Sequence, residues 1–122
     1  MSFFDKSQAQ SLLYNYPAGL LFQAMCAAVQ TVSGFRVVMA NPQTLSIQIS
    51  KSMSLLTWGE DIYVQFVPVN QSQTNLQIVS KSKLGTEIAA NSKNRKNIEA
   101  LLQALQTLLM KLYQQPPQPY MA

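Results

Sequence analysis

Few residues in this chain could do chemistry, and most of those that could are cations gathered late in the sequence. Lys81 and Lys83 leave the last strand-like segment, and Lys93, Arg95 and Lys96 fall at the start of the final helical segment. Free N–H groups at a helix start attract anions, so one reading of these residues is an anion or phosphate site. Exposed cations there also oppose the helix dipole, at roughly 0.3–1 kcal/mol each. The plainer reading pairs them with Glu60, Asp61 or Glu87 and leaves them solvated, since exposed pairs contribute little; it is the stronger of the two. Trp58, the only Trp, stands in a Trp-Gly turn. It can act as a binding platform, but sealing one end of the core, with Gly59 at positive φ, is the preferred role.

Catalysis finds little support. The chain has no His, and its acidic residues number five, so neither a histidine base nor a spaced carboxylate pair is at hand. Glu60 and Asp61 are neighbours, and in an extended segment neighbours point to opposite faces. Cys26 lies within an apolar helical stretch, where a thiol stays protonated and inert. No P-loop or dinucleotide fingerprint is present. The expectation is a non-enzyme with no cofactor and no metal, because Cys/His zinc sites cannot be assembled from one Cys and no His. Net charge is +4, too modest by itself to indicate nucleic acid.

The elements that would position these residues follow from periodicity. A weak alternation over 9–15 gives a first strand. Pro17 suits the opening of a helix running to about Val32 and closed by Ser33-Gly34. That helix is apolar nearly all round, which predicts burial on more than one side. A strand follows at 35–40, with a turn at Asn41-Pro42. From Thr44, the residues Leu45, Ile47, Ile49, Met53 and Leu55 alternate with Ser and Gln, predicting a half-buried strand of about 12 residues with a bend or bulge. Lys51 falls on the apolar register and marks an edge of the core. Ile62, Val64 and Phe66 define the next strand, which Pro68 ends or marks as an edge. A polar turn at 70–73 leads to the last strand, with Leu76 and Ile78. Asn91 or Ser92 caps a final helix in which Ile98, Leu101, Leu102, Leu105, Leu108, Leu109 and Leu112 recur at helical spacing.

The order is therefore β-α-β-β-β-β-α: an α+β, two-layer domain with a curved antiparallel sheet of about five strands and both helices on one face. Residues 1–8 read as a frayed lead-in, 9–113 as a single domain, and 114–122 as a flexible Pro/Gln-rich tail. The most apolar run, about ten residues from Leu20, falls short of the ~20 needed to span a bilayer. With no signal peptide in view, a cytoplasmic protein is expected.

This element order resembles the TATA-binding-protein-like folds, a broad group that includes helix-grip ligand-binding domains. Two motifs narrow the likeness: Ser52-Met53-Ser54-Leu55-Leu56-Thr57-Trp58-Gly59-Glu60 and Lys93-Asn94-Arg95-Lys96-Asn97-Ile98-Glu99. They are similar to motifs of small bacterial domains with a Ser-Trp-Gly-Glu turn and a Lys-Asn-rich helix start, with Thr57 standing where Ser is usual. The resemblance implies a fold and a cytoplasmic bacterial setting, and it carries no activity. If Glu60 reaches Asn94 and Asn97, the two motifs form one clasp.

Three functions are in play. The first is a non-catalytic interaction or scaffold domain, with a protein partner or a second copy. The second is a small-ligand or lipid-binding module of helix-grip type, against which the Leu density of the last helix argues for a filled core. The third is an anion or nucleic-acid binder using Lys93, Arg95 and Lys96; nucleic acid is disfavoured, because the sheet face offers Ser and Gln where a DNA-binding face needs cations and aromatics. The Pro116-x-x-Pro119 pattern is read as an ordinary chain end.

Overall fold

The computed structural model describes residues 7–52, 59–83 and 90–113. Trp58, Met53, Leu55, Glu87, residues 1–6 of the 1–8 lead-in and the tail at 114–122 lie outside them, while residues 7 and 8 belong to the first strand. The order is β1 (Ser7–Tyr14), α1 (Ala18–Val29), β2 (Phe35–Asn41), β3 (Ser46–Lys51), β4 (Glu60–Asn70), β5 (Gln73–Ser82) and α2 (Ala90–Tyr113). The strands form one antiparallel sheet in the order β1-β5-β4-β3-β2. This is the expected α+β architecture.

Strand alternation sets the two faces. Ile47, Ile49, Ile62, Val64, Phe66, Leu76 and Ile78 point inward and are 0–2% exposed. The residues between them point outward. Pro68 sits beyond the point where β4 has β3 beside it, since that ladder begins at Ser46↔Gln65, so its missing N–H falls on an open edge. The turns are set by side-chain oxygens. Asn41 Oδ1 accepts from the N–H groups of Gln43 and Thr44, and Asn70 Oδ1 accepts from that of Ser72.

The helices divide the inner face between them. β1 and β2 lie at opposite edges, so α1, which joins them, must cross the sheet, and it packs on β2, β3, β4 and β5. Phe22 meets Phe66 edge-on at 6.1 Å. α2 packs on β1, β5 and α1. α1 therefore covers the middle strands, because the edge-to-edge crossover leaves α2 only the β1–β5 half. Its seam is Ile98, Leu101, Leu105 and Leu109, each 0–2% exposed, while Leu112 is 59% exposed. α1 is thus buried on two sides, as its composition requires.

Several boundaries depart from expectation. α1 stops at Val29, and the next three N–H groups bond three residues back, a tightened final turn. The Thr31 hydroxyl donates to the Ala28 carbonyl at 2.7 Å, a local bond that competes with continuing the helix. Leu45 lies outside β3 with φ 54, so it closes the turn. Register shifts sit in β2, between Val37 and Met39, and in β4, between Pro68 and Asn70. α2 begins at Ala90, ahead of the Asn91 or Ser92 cap. Gly34 has φ +89, and a Cβ there would come within 3.0 Å of the Lys51 side chain. Gly34→Ala should therefore cost about 1–2 kcal/mol in urea unfolding.

Candidate functional site

The sequence brings two polar groupings to the end of the sheet where β4 starts and β5 finishes, one on each face. On the inner face, alternation turns Glu60 inward with Ile62, and Ser80 inward with Ile78. Helical spacing puts Asn94 and Asn97 on the same stripe as Ile98 and Leu101. All four polar residues are buried, none above 3% exposed. Asn97 Nδ2 donates to Glu60 Oε1 at 2.8 Å and lies 3.4 Å from Ser80 Oγ. Ser80 Oγ donates to Asn94 Oδ1 at 2.7 Å, and Asn94 Nδ2 donates to Ser82 Oγ at 3.3 Å. The Gly-Glu turn and the Asn-rich helix start therefore do form a clasp. Glu60 Oε2 is buried with no hydrogen-bond partner among the described residues. The clasp positions α2 on the sheet.

On the outer face, a row of side chains runs across the strands. Arg36 stands opposite Ser50, Ser50 opposite Asp61, and Asp61 opposite Lys81. Lys83 reaches back over this row: its Nζ donates to Ser50 Oγ at 3.0 Å and lies 3.9 Å from Asp61 Oδ1.

The sequence-predicted basic cluster is thus divided. Lys81 and Lys83 belong to the outer side, whereas Lys93, half-buried, and Arg95 and Lys96, both exposed, ride on α2 on the inner side. Among the candidate carboxylate partners, Asp61 takes Lys83 and Glu60 takes Asn97. Arg36, Ser50 and Ser52 were missed. The signal for Arg36 was its place between inward-facing Phe35 and Val37, which puts it outward in β2. The outer face is also less polar than its Ser/Gln content suggested, since Met39 and Tyr63 are exposed on it.

A third feature lies beside α2. The turn after α1 and the flank of α2 border an open trough of about 440 Å³, lined by Val32, Ala100, Ala104, Thr107, Leu108 and Lys111 among others. Small residues at Ala100 and Ala104 leave this space open. Cys26 is half-buried, and burial pushes its thiol up. Little thiolate is then present at neutral pH, so a disulfide reagent at pH 7.5 should label Cys26 several-fold more slowly in the folded chain than in urea.

No cluster of three or more His, Cys, Asp or Glu suited to a metal ion occurs among the described residues. Among them, too, no helix is long and apolar enough to cross a membrane.

No family model matches the sequence, and no curated protein does. Solved structures do share the fold. The di-domain ARO/CYC BexL from the BE-7585A biosynthetic pathway aligns with TM-score 0.66 and 12% identity over 90% of this chain and 48% of its own. The chain thus spans about half the length of that protein. A START superfamily protein from Mycobacterium smegmatis aligns at 0.63 and 11%, over 87% of this chain and 98% of its own. Norcoclaurine synthase from Thalictrum flavum, in complex with dopamine and hydroxybenzaldehyde, aligns at 0.62 and 6%, over 91% and 93%. These neighbours are of the helix-grip kind, and at such identities the shared feature is the fold.

Proposed function

We propose that the chain is a non-catalytic module that binds a small amphipathic molecule in the trough between the turn after α1 and the flank of α2. The observation that carries this is the trough itself: about 440 Å³ of space, within the range of small-molecule sites. Its walls are mostly apolar, and Gln103 and Thr107 add polar contacts. The inside of the grip is occupied by the chain's own Ile98, Leu101, Leu105 and Leu109, so a ligand seats beside the long helix. Lys111, in the last turn of α2, faces no carboxylate partner among the described residues and suits an anionic head group. Ala100 to Lys111 covers roughly 16 Å of helix, the reach of a medium-length acyl chain. The helix-grip likeness supports this reading, and one neighbour was solved with two small aromatic molecules bound.

Dodecanoate titrated into the 15N-labelled chain should move the amides of Val32, Ala100, Ala104 and Leu108. Ala104→Trp, which fills the trough, should weaken binding at least about tenfold, the worth of ~1.4 kcal/mol of lost contact. Lys111→Glu should weaken it about twofold to fivefold. Binding that survives Ala104→Trp unchanged would refute the assignment.

A specific observation favours a second reading, self-association. Among the described residues β2 is an edge strand whose Val38 and Met39 are 46% and 60% exposed, and such edges invite pairing. Sedimentation equilibrium decides it: a dimer dissociated by Val38→Lys supports the edge contact, and a monomer at high concentration removes it. The same proposal includes a cytoplasmic setting and kinship with small bacterial domains carrying the Ser/Thr-Trp-Gly-Glu turn, supported by the bond that ties Glu60 to Asn97.

A further inference from the structure

We infer that the outer face of the sheet carries a second, independent site, built by Arg36, Ser50, Ser52 and Lys83, for the phosphoryl group of a small soluble phosphate ester. These four residues, with Gly34 and Phe35, line one hollow of about 420 Å³. Ser50 is the pivot. It is 7% exposed, and its hydroxyl oxygen accepts from Lys83 Nζ at 3.0 Å. A lysine ammonium only donates, so the Ser50 hydrogen remains to be given away, and none of the described residues accepts it. Arg36 lies directly across the β2–β3 ladder from Ser50 on the same face, where side chains stand about 5 Å apart at Cβ. A guanidinium, an ammonium and a hydroxyl donor thus converge on one space. That donor set suits a tetrahedral oxyanion, which an Arg fork grips through two parallel bonds.

Charge agrees. Arg36 has no ion pair among the described residues, and Lys81 adds a further cation in the same row. Asp61 opposes them, its Oδ1 lying 3.9 Å from Lys83 Nζ. Asp61 is therefore the residue an incoming anion competes with for Lys83. Gly34 keeps the rim open, since a Cβ there would come to 3.0 Å from Lys51 Cε and 3.4 Å from Ser52 Oγ. The site lies on the face of the sheet away from both helices, so it stands or falls separately from the trough.

The test is titration of the full 15N-labelled chain with inorganic phosphate at constant ionic strength, with chloride as control. The amides of Gly34, Arg36, Ser50, Ser52 and Lys83 should shift together, and chloride should not reproduce the effect. Arg36→Gln and Lys83→Gln should each weaken phosphate binding about twofold to fivefold, the worth of an exposed charge contact. Asp61→Asn should strengthen it by a similar factor, a gain that no structural role of Asp61 produces. Both cations are solvent-exposed, so the variants keep the fold, as their spectra would show. Shifts centred on Lys93, Arg95 and Lys96, or weaker binding in Asp61→Asn, would overturn the site. Capture by vesicles carrying phosphatidic acid, with no response to free phosphate, would overturn the soluble ester in favour of a lipid surface.

Discussion

Asn97→Leu should destabilise the domain by about 3 kcal/mol, out of a total that for a chain this size is roughly 5–15 kcal/mol. The side chain's shape is nearly kept, but the donor to Glu60 Oε1 is lost. Glu60 already holds Oε2 in a buried position without a partner among the described residues. Removing the Asn97 amide would leave both carboxyl oxygens without a partner among the described residues at 1% exposure, and stranding a buried polar group costs more than the net worth of the bond that held it. The double change Glu60→Leu with Asn97→Leu should recover most of the loss, since two apolar groups facing each other leave nothing unpaired. Urea unfolding of the wild type, the singles and the double closes the cycle. A single Asn97→Leu within 0.5 kcal/mol of wild type, on the scale of ordinary surface changes, would show that the clasp does not hold α2 on the sheet.

That clasp was partly legible in the sequence. Alternation placed Glu60 in register with Ile62, and helical spacing placed Asn97 next to Ile98 on the apolar stripe. Two polar residues on two buried faces had to find each other or pay for burial. The basic residues were less legible for a related reason. Lys81 and Lys83 are close in sequence to Lys93, but a strand end and a helix start that meet at the clasp send their remaining side chains to opposite sides of the sheet. Arg36 and Ser50 come together only through the β2–β3 register, and that register carries a bulge at Val37/Met39 that no periodicity announces. The same holds for the helices. Element order gave the two layers correctly, but which helix covers which strands depends on β1 and β2 occupying opposite edges. That is a fact of strand order, and alternation within a strand is blind to it.

Leu105→Ala should cost about 3 kcal/mol, within the 2–5 kcal/mol typical of a buried leucine, and should do more than destabilise. Leu105 is 0% exposed and sits midway along the seam of α2, between Leu101 and Leu109. In a ligand-holding version of this architecture, the space between the last helix and the sheet is where a guest would lie; here leucines fill it. Truncating one of them opens an apolar void beneath α2, which packs on β1, β5 and α1, and a void of that kind stays dry and admits small apolar guests. Benzene should then raise the melting temperature of Leu105→Ala while leaving the wild type unmoved, because a ligand stabilises only the form that has a place for it. Leu105→Met, which keeps the volume, should cost under about 1.5 kcal/mol and show no benzene response. Should Leu105→Ala cost under 1 kcal/mol, the helix and sheet are not pressed together at this point, and the reason for placing the ligand outside the grip, in the trough against Ala100 and Ala104, disappears with it.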